Sequence, residues 1–280
     1  MLNDNSLAVE SVETLLKPQR NFTFAENRKQ LESFGFKLSE GGAHISRTIM
    51  LREISQLLER SPGKKSLEDY RKAVVEENLL GKSTETTRQK TFRHLRELYA
   101  LSDKVPIFAI YRDLVRFDFE SIALLSLLIA WARDPLLRAT TPAIQQARLG
   151  DQVTGEDLQR ALSEVYPHEY SANNIGKISR NAGSSWTQSG HLVGRTNKLR
   201  TRVQPRVAAL TFALLLGHVG GAAGVQLFSS AWCRLLDLSS TEARSLAEQA
   251  HRQDLLTLRA MGTVVEVSFP RFQSLAGTFL

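Results

Sequence analysis

Apolar residues recur at helical spacing along most of this chain, and alternation with a period of two is confined to its C-terminal end. Residues 255–260 and 263–269 alternate around Met261 and Gly262. That is the pattern of a β-hairpin, with a glycine where the turn needs a backbone most residues resist. The rest reads as helices separated by glycine and proline breaks. The expected fold is therefore mainly α: a helical bundle with helix-turn-helix modules and a C-terminal winged-helix-like module carrying a small β-hairpin.

Helical spacing starts near Phe24 and breaks at Gly41 and Gly42. Ile45, Ile49, Ile54, Leu57 and Leu58 predict a helix over 45–59. Further helices are predicted over 67–78, 83–98 and, within 107–133, ahead of an irregular link bracketed by Pro135 and Pro142. Thr154, with Asp157 three residues on, marks a capped start. Ser171 opens another helix, which frays at 183–185 or runs on through Trp186. Helices over 206–216 and 227–236 come next, then a capping box at Ser239 and Glu242 and a helix over 241–252. The organisation read from this is a tail at 1–23, a helical domain with the first helix-turn-helix at 24–140, a second helix-turn-helix with a basic wing or loop at 141–205, and the winged-helix-like module at 206–280.

Charge is the second constraint. Residues 170–236 contain no aspartate or glutamate, although 23% of the chain is charged. The same residues carry Lys177, Arg180, Arg195, Lys198, Arg200, Arg202, Arg206 and Arg234. A soluble surface normally mixes both signs, so an unopposed basic stretch points to a polyanion. The net charge of +7 agrees. Duplex DNA is the expected partner. The eight cations fall within the roughly six to ten phosphate contacts that make affinity strongly salt-dependent.

Three modules are placed to aim this charge. In the first, Phe92, Leu95, Leu98 and Tyr99 share the inward face of the helix over 83–98, and Thr86, Gln89, Lys90 and Arg93 lie opposite. Those residue types suit phosphates and base edges, and suit a solvated helix face equally well. In the second, the helix from Ser171 presents Lys177 and Arg180, and residues 194–206 supply Arg195, Lys198, Arg200, Arg202 and Arg206 as a wing or loop. In the third, Arg244 and Arg252 share a face with Thr241 and Ser245, interrupted by Glu248. Winged helices also dock proteins, so this last surface fits either partner.

Catalytic and cofactor signatures are missing. Gly81-Lys82-Ser83 resembles the end of a phosphate-binding loop, but the glycine required five residues earlier is Glu76. The histidines are scattered without metal-ligand spacing, and there is neither a nucleophile elbow nor a dinucleotide fingerprint. No enzyme activity, metal or cofactor is expected. Cys233 is the only cysteine, so no intramolecular disulfide forms, in keeping with a reducing, cytoplasmic setting. The N-terminus reads as a loose tail without a signal-peptide pattern. Residues 207–228 are long and apolar enough to raise a membrane reading, but His218, Gln226 and four glycines favour two helices and a turn in a core.

The run GGAHISRTIMLREISQLL, followed by DYRKAVVEENLLGKSTETTRQKTFRHLRELYAL, resembles the N-terminal part of the BrxA family of BREX bacteriophage-exclusion systems. The likeness lies in the glycine-rich lead into a Ser-Arg segment, the EENLL helix end and the Ser/Thr-rich start of a basic helix. It covers about residues 41–193. The resemblance implies a small, non-enzymatic, mostly helical DNA-binding accessory of a phage-defence system. It makes the helix from Ser83 the first DNA-facing helix, and implies a methyltransferase and an ATPase of the defence complex as further partners. The alternatives from the residues alone are an assembly scaffold that docks proteins through its C-terminal module, and a membrane-associated component.

Overall fold

The computed structural model describes residues 23–39, 41–261 and 264–280. The expected N-terminal tail, apart from Thr23, and the hairpin glycine Gly262 lie outside them. The described residues are mainly helical, as the periodicity predicts, with two small antiparallel β-hairpins: the C-terminal one that the alternation predicts, and a second at residues 192–200 that no alternation announces.

The N-terminal half contains α1 (Thr23–Phe34), α2 (Leu51–Arg60), α3 (Leu67–Arg71), α4 (Glu85–Tyr99), α5 (Pro106–Phe117) and α6 (Ile122–Arg133). α6 is buried at every position from Leu124 to Ala132 because helices cover it on all sides. Two short helices, α7 (Pro135–Ala139) and α8 (Thr141–Gln145), occupy the segment predicted as irregular. Each carries its proline in the first turn, where the missing N–H has no helical partner to lose. Trp131 and Trp186 are buried, and their indole N–H groups donate to the hydroxyls of Thr141 (2.8 Å) and Thr140 (2.9 Å).

One expected helix is shorter than its pattern. Residues 45–59 do not form one helix: a 3-10 turn at Ala43–Ile45 leads into extended backbone, and α2 begins only at Leu51. Met50 takes a left-handed conformation, φ 53°. Tertiary bonds override the local preference here. The Ile49 N–H donates to the Ser185 hydroxyl at 2.9 Å, the Leu51 N–H donates to the Gln188 side chain at 3.1 Å, and the Tyr99 hydroxyl donates to the Ile49 carbonyl. Similarly, α3 is not continuous to Asn78; it widens into a π turn at Lys72–Glu76, and Asn78 takes φ 48° before the chain turns toward α4.

The middle of the chain is two helices followed by a short hairpin. After α8, backbone at 150–153 runs beside the later hairpin: Gln152 bridges Leu199, the Val153 N–H donates to the Lys198 carbonyl (2.8 Å), and the Arg200 N–H donates to the Asp151 carbonyl (2.9 Å). Then come α9 (Gly155–Val165), α10 (Ala172–Gln188), and the hairpin of β1 (Leu192–Val193) with β2 (Leu199–Arg200). Both predicted caps form: Thr154 with Asp157 on α9, and Ser171 accepting from the Asn174 N–H on α10. α10 does not fray at Gly183. A Cβ there would lie 3.1 Å from Leu158 of α9, so the glycine lets the two helices close up.

The C-terminal module has the predicted order: α11 (Val207–Val219), α12 (Ala231–Leu235), α13 (Ser240–Arg252), then β3 (Thr257–Met261) paired with β4 (Val264–Ser268), and a last short helix α14 (Gln273–Ala276). Every residue from Val207 to Gly217 is buried against α5, α6, α12 and α13. The apolar run is therefore core. Among the described residues no single helix is long and apolar enough to cross a membrane; Val207–Val219 and Gly224–Leu235 pass on length and composition only as a pair, bent by 120°. One buried apolar cluster joins all these parts, from Phe34 to Ala276.

Candidate nucleic-acid interface

α10 buries Ile178, Ala182 and Trp186 on one side. Spacings of four and three residues put Asn173, Lys177, Arg180, Ser184 and Thr187 on another. Lys177 and Arg180 are exposed and form no ion pair among the described residues. The Arg180 guanidinium lies back along the helix, 3.5 Å from where a Cβ on Gly176 would stand. Glu169, two residues before the cap, is the nearest carboxylate in sequence. The helix N-terminus adds its own positive end to this face.

The β1–β2 hairpin stands beside the C-terminal half of that stripe. Lys198 lays its methylenes 3.7 Å from the position a Gly183 Cβ would take, and its ammonium donates to the Thr187 hydroxyl at 2.7 Å. Partial burial lowers its pKa. Gly194 turns the hairpin with φ 103°; a Cβ there would lie 2.1 Å from the Asn197 carbonyl oxygen, so no other residue fits without rebuilding the turn. The tip, Arg195-Thr196-Asn197, is exposed, and Arg195 has no carboxylate partner among the described residues.

The remaining arginines of the acid-free stretch are not free. Arg200 is 6% exposed and makes a two-pronged ion pair with Asp237, with a further bond to the Ile144 carbonyl at 3.0 Å. It locks the wing onto the C-terminal module and cannot reach a phosphate. Arg202 pairs with Glu242 at the start of α13. Arg206 pairs with Asp118 (2.8 Å) and Glu120 (2.6 Å). The acid-free stretch is thus neutralised in part by carboxylates from 37 to 88 residues away.

On α4 the expected residues Thr86, Gln89, Lys90 and Arg93 are all exposed on one face, opposite buried Phe92, Leu95, Leu98 and Tyr99. Gln89 bonds Glu85 at 3.0 Å, while Lys90 and Arg93 have no acidic partner among the described residues. On α13, Arg252 is exposed without an ion pair and Arg244 stands 3.9 Å from Glu248. That surface is mixed in sign. Glu242 beside it is held at a pKa of about 2 by the backbone N–H and hydroxyl of Ser239 and by Arg202.

Sequence spacing did not bring Arg47 to this site. The segment 43–51 is strapped to α10: Asn181 donates to the His44 carbonyl at 2.8 Å, and the His44 ring meets the Ser185 hydroxyl at 2.8 Å. Arg47 lies in this strap between the anchored His44 and Ile49, half-buried, with its guanidinium on its neighbour's carbonyl (2.9 Å). Its placement depends on bonds spanning more than 130 residues, for which local pattern has no signal.

The strap contains a serine–histidine–aspartate arrangement. His44 Nδ1 lies 2.8 Å from Asp134 and Nε2 2.8 Å from Ser185. All three are buried. The Ser185 oxygen is already surrounded by the Ile49 N–H, the Asn181 carbonyl and His44, and no carbonyl substrate can approach it. Asp134 caps α7 through the N–H groups of Leu136 and Leu137. Burial alone would raise its pKa, but the pull of His44 and these bonds hold it below the usual range. The trio joins the N-terminal segment, α7 and α10. No family model matches the chain, and no curated protein matches it.

Proposed function

We propose that this chain is a non-enzymatic duplex-DNA-binding protein, with α10 entering the major groove and the β1–β2 wing beside it. The observation that carries the reading is the exposed, acid-free stripe of α10, where Lys177 and Arg180 stand without ion pairs next to a wing tipped by Arg195. The second helix of a helix-turn-helix unit is the one that reads a groove. Phosphate contacts dominate, because the stripe offers two long cations and short amide and hydroxyl groups rather than a set of base-reading forks. α4, with Lys90 and Arg93, is a second basic face. The test is fluorescence anisotropy with a labelled duplex over 50–200 mM salt. Binding that weakens steeply with salt supports the reading; no binding at 50 mM overturns it.

The sequence resemblance to the BrxA family extends the proposal to a cytoplasmic accessory role in BREX-type phage defence, alongside a methyltransferase and an ATPase. Phage plating with Lys177→Ala/Arg180→Ala in such a system tests it: unchanged resistance removes the DNA surface from the role. A second reading, protein docking, attaches to the C-terminal module. Its α13 face is mixed in charge, and the cross-strand pair at the end of its hairpin, Met261 and Val264, is 83% and 69% exposed. Pull-down of partners that survives charge reversal on α10 and fails with Met261→Asp favours that reading for this module.

A further inference from the structure

We infer that the β1–β2 wing is a minor-groove reader: Arg195 enters the minor groove flanking α10 and makes affinity depend on that groove's width and on A·T against G·C content. This rests on the proposed duplex binding and goes beyond it, because phosphate contacts on α10 carry no such preference.

Three observations carry the inference. First, Arg195 is the only basic residue at the tip, and neither of its loop neighbours, Thr196 and Asn197, is acidic. Arginine is the side chain that the enhanced negative potential of a narrow minor groove attracts. Second, the tip is held by its base. Gly194 closes the turn, Lys198 is bonded to Thr187 of α10, Arg200 is anchored by Asp237, and the backbone at 150–153 pairs along β2. The wing is therefore braced against the helix it flanks, and its reach is fixed. Third, the side of the wing turned away from the core carries an unexplained apolar pair. Val193 and Leu199 are cross-strand partners and are 53% and 42% exposed. Minor-groove proteins use apolar side chains beside their arginines, against the sugar walls and base edges. A surface for phosphates alone has no use for them.

The experiment compares two duplexes of one sequence, one with G·C pairs and one with inosine·cytosine pairs. The exchange leaves the major-groove pattern of acceptors and donors in place and removes only the guanine amino group from the minor groove. Anisotropy at 100 mM salt is read for the full chain, for Arg195→Ala and for Arg195→Lys. The inference predicts that the native chain binds the inosine duplex tighter by about fivefold, the low end of a base-pair effect. It predicts that Arg195→Ala binds both duplexes equally, and that Arg195→Lys keeps the salt dependence while losing most of the preference. Equal native affinity for both duplexes, or a preference that survives in Arg195→Ala, overturns the inference and leaves the proposed function standing. Absence of binding to either duplex overturns the proposed function and this inference with it. Unchanged thermal unfolding of both variants, expected for an exposed tip, ties the effect to contact rather than to folding.

Discussion

The salt dependence of DNA binding separates the charge written in the sequence from the charge the fold presents. If all eight cations of residues 170–236 met phosphates, log K against log salt would fall with a slope of about −7, or roughly 2 × 10⁴-fold between 50 and 200 mM. The structure leaves four of them toward solvent on the α10 surface: Lys177, Arg180, Arg195 and the half-buried Lys198. Four contacts give a slope of about −3.6 and a loss of about 150-fold over the same range. Lys90 and Arg93 of α4 would raise the slope to about −5.4 if they meet the same duplex. The assay is anisotropy at five or more salt concentrations, with alanine variants taken one at a time. Lys177→Ala and Arg180→Ala are each expected to make the slope shallower by about 0.9. Arg202→Ala and Arg206→Ala should leave it unchanged, because Glu242, Asp118 and Glu120 already hold those guanidinium groups. A native slope near −7, or equal loss from Arg202→Ala and Lys177→Ala, would refute the reasoning.

Arg200→Ala strands Asp237, which is itself nearly buried, and should lower unfolding free energy by about 3–5 kcal/mol in a urea titration. Gly194→Val should distort the wing turn and weaken duplex binding with little change in global unfolding, because the clash is confined to the Asn197 carbonyl. Glu242 has its pKa depressed in the folded chain, so its stabilising contribution is complete above about pH 4.3 and is lost as pH falls toward 2. Urea midpoints measured from pH 5 to 2 should fall less steeply in Glu242→Gln than in the native chain.

Local chemistry was legible wherever it was closed within a few residues. The capping boxes at Thr154–Asp157 and Ser239–Glu242 form as their spacing predicts, and the apolar run after Arg206 is the buried α11. The C-terminal hairpin follows its period of two. What failed was governed by distant partners. The helix predicted over 45–59 gives way in its first half because Ser185 and Gln188 of α10 take the Ile49 and Leu51 N–H groups. The backbone that runs beside the β1–β2 hairpin makes a single bridge at Gln152, too short for any periodicity to register. The basic stretch shows the same limit most clearly. Its lack of acidic residues is plain in the sequence, but Arg200, Arg202 and Arg206 are neutralised by carboxylates that fold back from other parts of the chain. Only Lys177, Arg180 and Arg195 remain as wholly exposed cations without an acidic partner among the described residues.

The most direct test of the central claim is photo-crosslinking to duplex DNA. A photoreactive phenylalanine analogue is placed at Asn173 on the α10 stripe, at Thr196 on the wing tip, and at Ser245 on the exposed face of α13. All three positions face solvent, so the analogue perturbs no core. Covalent adducts from positions 173 and 196, competed away by unlabelled duplex and weakened by salt, are the predicted result. Adducts from position 245 alone would contradict the claim and move the interface to the C-terminal module.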